Sequence, residues 1–344
     1  MPLEIIEKDV FRTFCNSVPY KSFMQSSEMA ELLSKRGYQV AYLGFKDQGQ
    51  LQVAAILFSL PMTGGLHMEI NSGPVSRDKR YLKAFYQELQ TYAKENGALE
   101  LLVKPYDTYQ QFDTDGKPTD QEQTALLEDF LSLGYQHDGL LTGYPGGEPD
   151  WHYLKDLTDL DDKSLIKSFS KKGRPLVKKA KTFGITLRKL DREELPLFKE
   201  ITSATSDRRD YMDKSLEYYQ DFYDSFGDSC EFMVASLNFQ DYLNHLENDQ
   251  GKLKQRIAKL KADLEKNPHS EKKQNQLREL ASQSDTFDVR IAEAKAFIAK
   301  YGTQHVTLAG SLFVYTKQEA VYLFSGSYPE FNKFYAPALL QEYV

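Results

Sequence analysis

Residues 241–300 restrict what this chain can fold into more than any other stretch. Leu243, Leu246, Gln250, Leu253, Ile257, Leu260 and Leu264 fall at alternating spacings of three and four. Leu277, Leu280, Ser284, Phe287, Ile291, Ala294 and Ile298 repeat that alternation. Such spacing keeps one stripe on one helix face, the seam of a coiled coil. Between the runs lies Asn267-Pro268-His269-Ser270, which cannot continue a helix but can turn one back. The pattern predicts two antiparallel helices, each about 40 Å long at a rise of 1.5 Å per residue. The stretch carries 12 Lys/Arg against 10 Asp/Glu in a chain of net charge −7. It is thus relatively attractive to phosphate, yet too mixed in sign to be a plain electrostatic tape for nucleic acid. A solvated brace or a dimer contact fits the same pattern.

The arm interrupts a chain of 344 residues, long enough for two domains with their own cores. Helix signals run from Ser26 to Arg36, with Gly37 as a stop, and strands follow at Gln39–Phe45, Leu51–Leu60 and Leu66–Ile70. A helix over Asp78–Lys94, a strand at Leu99–Val103, a loop from Lys104 to Pro118 and a helix over Asp120–Leu133 complete the first half. Tyr144-Pro145-Gly146-Gly147-Glu148-Pro149 is the clearest linker. Beyond it a helix is expected over Leu160–Thr182, a strand at Ile185–Leu190, and helices over Arg192–Thr205 and Lys214–Phe226. Strands at Glu231–Phe239, Val306–Tyr315 and Ala320–Phe324 flank the arm. The expected architecture is α/β (α+β): a first domain over 1–150, a second over 151–240 and 302–344, and the arm over 241–301. Phe334–Val344 reads as a helix without a C-cap, which suggests a second domain cut before its end.

Cys15 and Cys230 lie far apart, and the 6 His residues show no paired-ligand spacing, so neither a disulfide framework nor a metal site is expected. The N-terminus lacks a signal peptide, and the apolar stretch Val53–Met62 is too short to span a bilayer. These features predict a soluble protein of a reducing compartment, free to work at a membrane surface. Ser168–Lys181 gathers Lys171, Lys172, Arg174, Lys178, Lys179 and Lys181 without an acid, a patch suited to phosphodiesters or simply a solvated basic face. Arg208 and Arg209, with Lys214, precede Tyr218 and Tyr219. Arginine there could fork onto a phosphate, or pair with Asp207 and Asp210.

Several short motifs carry a family resemblance through their order. They are Pro19-Tyr20-Lys21-Ser22-Phe23-Met24-Gln25-Ser26, Arg36-Gly37-Tyr38, Ser72-Gly73-Pro74-Val75, and Lys104-Pro105-Tyr106 followed by Asp115-Gly116. Leu133-Gly134-Tyr135 with His137 and Gly139, the lysine-rich segment before Gly184, and the helical arm continue the series. Together they resemble the Fem family of tRNA-dependent peptidoglycan-bridge aminoacyltransferases, over nearly the whole chain. The resemblance implies two tandem Gcn5-related N-acetyltransferase-like domains with an antiparallel coiled-coil arm inserted in the second. It implies transfer of Ala, Ser or Gly from aminoacyl-tRNA to the stem-peptide amine of a lipid-linked or UDP-linked muropeptide precursor, without a further cofactor. Such an enzyme is bacterial and cytoplasmic, with peripheral contact at the inner membrane surface; homo-oligomerisation stays open.

Carried over by position, Lys104, Tyr106 and Asp107 are implied as groove and catalytic residues, Asp107 steering or deprotonating the amine. The resemblance places an arginine for the precursor's phosphates at Arg208 and implies that Ser327 and Tyr328 line the acceptor site. Its partner lysine falls at Leu33, so the nearby Lys35 and Arg36, with Lys214 of the Arg208 cluster, are the further substrate-binding candidates. Lys171, Lys172, Arg174, Lys178 and Lys179 are the candidates for tRNA. The family's lysine in a Phe-Lys-(basic)-Gly motif has no counterpart before Val344. Two other classes compete. A CoA-dependent N-acetyltransferase should show Gln/Arg-x-x-Gly-x-Gly/Ala, which the chain lacks. A non-catalytic tRNA-binding or structural protein would explain the arm, and would leave precursor unmodified.

Overall fold

A computed structural model describes residues 3–143 and 149–344; the expected linker, save Pro149, lies outside them. The protein is mixed α/β and divides into two compact units. The first comprises Met1–Thr158 with Glu217–Cys230 and Val314–Val321, and the second Asp159–Leu216, Glu231–Phe313 and Tyr322–Val344.

In the first unit the chain runs β1 (Leu3–Ile5), α1 (Lys8–Ser17), α2 (Ser27–Lys35), β2 (Gln39–Asp47), β3 (Gln50–Met62), β4 (Gly65–Asn71), β5 (Val75–Ser76), α3 (Leu82–Glu95), β6 (Ala98–Lys104) and α4 (Ala125–Ser132). The sheet order is β1-β2-β3-β4-β6, with β5 paired to β3. The β1–β2, β2–β3, β3–β4 and β3–β5 pairs are antiparallel, whereas β4 and β6 run parallel, Asn71 standing opposite Lys104 at their ends. A parallel pair needs a crossover, which α3 supplies. Val53 to Phe58 are all buried, without the alternation of a half-exposed strand, so both faces of β3 are covered. One face packs Val53, Ala55 and Leu57 with Phe85, Tyr86 and Leu89 of α3. Each of the Val, Leu and Phe side chains among them contributes about 1.5–3 kcal/mol through burial.

Local chemistry sets the element ends. Ser26 Oγ accepts from Met29 N at 3.1 Å and starts α2, an N-cap; Gly37, at φ +85°, follows its end. Helix α4 is shorter than the expected Asp120–Leu133. Asp120 Oδ1 accepts from Gln111 N, and Gln123 N donates to Tyr109 O. These bonds tie residues 120 and 123 back onto the 104–118 loop, and the helix begins only at Ala125. Helix α1, absent from the sequence expectations, buries Phe11, Phe14 and Cys15, an apolar face too short to show a clear period.

The second unit holds α5 (Asp162–Ser168), α6 (Gly173–Ala180), β7 (Thr186–Lys189), α7 (Leu195–Arg209), β8 (Cys230–Asn238), α9 (Phe239–Lys266), α10 (Glu271–Tyr301), β9 (His305–Tyr315), β10 (Ala320–Ser327) and α11 (Ala336–Tyr343). Helix α8 (Leu216–Phe226) follows α7 in the chain, and all of it but Leu216 belongs to the first unit. The strand order is β10-β9-β8-β7. The expected helix Leu160–Thr182 is two helices. Pro175 lacks an N–H and its ring would meet the carbonyl of Lys171 in a continuous helix, so the chain breaks and restarts with proline in the first turn. At Gly326 a Cβ would lie 2.6 Å from Ile201 O, so this strand accepts no side chain there.

Helices α9 and α10 lie along each other in opposite directions. Glu247 pairs with Lys295 at 3.4 Å, Gln250 with Asp288 at 2.6 Å and Asp263 with Lys273 at 3.1 Å. Leu253, Leu260 and Leu280 form the buried cluster between them, with Ile257, Leu277 and Phe287 against it. At the other end Phe239 is fully buried, stacks on Phe297 at 4.5 Å, and meets Phe331 and Phe334.

Candidate active site

The parallel strands β4 and β6 both end at a cleft of about 120 Å³ in the first unit. Loops leaving the carboxyl ends of parallel strands are where open α/β sheets place ligands. From β4 come Ser72 and Pro74, and from β6 come Tyr106 and Asp107; Tyr20, Lys21, Arg77 and Lys79 also line it. The Ser72–Pro74 turn is held by Gln25, whose Nε2 donates to Asn71 O at 2.6 Å while its Oε1 accepts from Ile56 N at 2.8 Å. A Cβ at Gly73 would sit 2.6 Å from the Gln25 amide carbon, so glycine allows this approach.

Tyr106 is fixed on two sides. Its ring stacks on Tyr20 at 5.1 Å and 16°, and its hydroxyl donates to Glu319 Oε2 at 2.8 Å. Glu319 Oε1 accepts from Phe23 N at 2.8 Å. Burial, then the bond to Glu319, push the Tyr106 pKa well above that of free tyrosine. Burial likewise raises Tyr20, with the Thr108 hydrogen bond opposing. Both hydroxyls therefore stay protonated near neutrality, and neither serves as a base. The carboxylate of Asp107 is ion-paired with Lys79; its side chain is 25% exposed and that of Lys79 76%. This leaves a carboxylate that already receives an ammonium at the mouth of the cleft.

Lys104 is not among the cleft-lining residues. Its ammonium pairs with Glu69 Oε1 at 2.9 Å, and Glu69 Oε2 faces His67 Nε2 at 3.2 Å. On the outer part of the 104–118 loop, Phe112 packs on Trp151 at 5.1 Å, and the neighbouring His152 ring lies 6.1 Å from Tyr106. Sequence reasoning assigned no role to Tyr20, Lys79 or Glu319. Tyr20 sits inside a quoted motif, and that was its signal. Glu319 is 213 residues from Tyr106, and no local pattern announces it.

The remaining candidates fall in three groups. Lys35 pairs with Glu31 at 3.3 Å, and Arg36 lies over Tyr38 and Tyr218 at 5.6 and 5.2 Å. In the second unit Arg208 NH1 donates to Ser327 O at 3.2 Å, and Thr205 Oγ1 accepts from Ser327 N at 3.1 Å. Arg208, Ser327 and Tyr328 are thereby brought together. Burial, with Glu200 adding to it, raises the Tyr328 pKa. Lys214 N donates to Asp213 Oδ1 at 2.8 Å. Of the basic segment, Lys171 and Lys172 precede α6, while Lys178 and Lys179 occupy its last turn, where cations suit the helix dipole. Lys179 lies 5.2 Å over the Tyr335 ring. Arg174 donates to the carbonyls of Lys167 and Phe169, closing the end of α5. Among the described residues no group of three or more His, Cys, Asp or Glu is placed to hold a metal.

Fold and cleft thus define a mixed α/β protein with a groove bearing Asp107 and Lys79 at the ends of two parallel strands. The FemAB family model matches residues 6–344, and the chain belongs to the FemAB family. Aminoacyltransferase FemA of Staphylococcus aureus strain bovine RF122 / ET3-1 is 29% identical over 330 residues, covering 94% of this chain and 78% of its own length. The protein of the same name from strain N315 matches equally. A crystal structure of FemX superposes with a TM-score of 0.72 at 21% identity, covering all of this chain and 84% of its own; at that identity it speaks for the fold. Family and relatives together make the chain an aminoacyltransferase.

Proposed function

We propose that this protein transfers Ala, Ser or Gly from aminoacyl-tRNA to the stem-peptide amine of a lipid-linked peptidoglycan precursor, building the interpeptide bridge. The observation that carries the reading is the FemAB match over 6–344; the Asp107 cleft supplies its chemistry. In the transfer, the amine nitrogen bonds to the ester carbonyl carbon, and the bond from that carbon to the tRNA ribose oxygen breaks. The amine gives up one proton and the ribose oxygen gains one. Asp107 takes the incoming ammonium in place of Lys79 and accepts its proton, a role worth about 10²–10⁴-fold. Tyr106 walls the cleft, and Lys104 steadies the strand ends through Glu69.

Arg208 and Lys214 meet the precursor's diphosphate, and Ser327 and Tyr328 line its path; Lys35 and Arg36 are the acceptor-binding cations of the first unit. Lys171, Lys172, Lys178 and Lys179 meet tRNA, with Arg174 shaping the segment. The two units are read as Gcn5-related N-acetyltransferase-like domains, and α9–α10 as a coiled-coil arm that contacts tRNA. The enzyme works in the cytoplasm against the inner membrane face; no helix among the described residues is long and apolar enough to cross a membrane.

The test uses tRNA charged separately with labelled Ala, Ser or Gly, and lipid-linked precursor. Label passing into precursor, and lost on tRNA digestion, is expected with one amino acid. Asp107→Asn should cut the rate by about 10²-fold or more with precursor binding retained. No transfer from any charged tRNA by a folded, precursor-binding protein would overturn the proposal.

A further inference from the structure

A second cavity, of about 310 Å³, lies within the first unit and shares only Lys21 with the cleft beside Tyr106. Its lining carries two cations, Lys21 and Lys317, and two carboxylates, Glu28 and Asp228. Lys21 is 7% exposed, and its ammonium donates to Asn16 Oδ1 at 3.1 Å. Among the described residues it has no other hydrogen-bond acceptor and no ion-pair partner. An ammonium has three donors, so two of them lack a protein acceptor in a place where an unmet charge is costly. Burial, with Lys317 adding to it, lowers the Lys21 pKa, and Cys15, Glu28 and Glu319 offset this only in part.

The charge pattern selects a ligand class. A phosphate would meet Glu28 and Asp228 as well as the lysines. A simple cation would meet Lys21 and Lys317. A molecule bearing both signs satisfies all four groups, which is electrostatic complementarity acting as specificity. The volume stands at the lower end of the ~300–1,000 Å³ range of ligand pockets, so the molecule is small. We propose that this cavity is a second binding site, for a free small α-amino acid. Its carboxylate is taken by Lys21 and Lys317, and its ammonium by Glu28 and Asp228. The two cavities meet at Lys21, and the occupancy of this one is measurable without tRNA or acceptor.

The experiment titrates the isotope-labelled full chain with alanine, acetate, methylammonium and inorganic phosphate in parallel, following backbone amide shifts. Alanine is expected to move Ser26, Ser229 and Thr316 saturably. Acetate and methylammonium, each satisfying half of the charges, should bind about tenfold more weakly or worse. Lys317 and Asp228 are exposed, so Lys317→Ala and Asp228→Asn leave the fold intact. Each should weaken alanine binding about threefold to tenfold. Lys21→Met should abolish it; if that variant fails to fold, the two rim variants decide. Acetate or phosphate binding as tightly as alanine would make this a plain anion site and overturn the proposal. No saturable shift up to about 50 mM alanine would overturn it too.

Discussion

The helical pair α9–α10 and the cleft beside Tyr106 are held by contacts of opposite range. Within each helix of the pair, seam residues stand three or four apart, and Leu253, Leu260 and Leu280 bury one another across a single turn. In the cleft, Tyr20, Tyr106 and Glu319 come from three distant stretches and meet through one stacked ring pair and one hydrogen bond. A local seam fails locally. A non-local cleft loses its shape wherever one contributor is removed.

The largest expected effect is in the seam. Leu253→Ala should cost about 3 kcal/mol, seen as faster hydrogen exchange confined to α9 and α10. Faster exchange throughout the protein would break the contrast. Glu319→Ala strips the acceptor from Phe23 N and from the Tyr106 hydroxyl, and should cost about 2 kcal/mol. Amide shifts should appear around residues 20, 23 and 106, and changes limited to 316–322 would refute a long-range role. Gln250, buried in the seam, donates to Asp288. Gln250→Leu should stabilise the pair by about 1 kcal/mol in denaturant unfolding while weakening its register.

The smallest effect is a pH dependence beside the cleft. Burial lowers the His67 pKa, but its bonds to Glu100 and Glu69 outweigh that and leave it raised. The fold thus favours imidazolium. This stabilisation is full below the ordinary histidine pKa of about 6.5 and is lost as pH rises through the raised value. His67→Gln should flatten that slope, by less than about 1 kcal/mol in thermal unfolding; an unchanged slope would assign the dependence to another group.

The same contrast explains what the sequence disclosed. The helical pair and most strands followed from periodicity, because burial at fixed spacing leaves a local trace. Pro175 is visible in the sequence, and the break at 169–172 follows from its clash with the Lys171 carbonyl. Tyr106 and Asp107 were legible as a motif after an apolar strand. Glu319 was not, because a hydrogen bond between positions 106 and 319 has no signature in either neighbourhood. Lys104, one pleat earlier on β6, belongs to a cross-strand ion pair with Glu69, which only the register of β4 and β6 reveals.

Trp151 is the chain's 1 tryptophan, and it rests on Phe112 with its indole N–H donating to Leu141 O at 3.2 Å. Its emission is therefore a label-free optical signal from one place, the outer loop whose inner end carries Tyr106 and Asp107. Acceptor entry that shifts this loop would change the colour or intensity of that light within the dead time of a rapid-mixing instrument. The unmodified protein thus offers a way to time acceptor docking separately from chemistry.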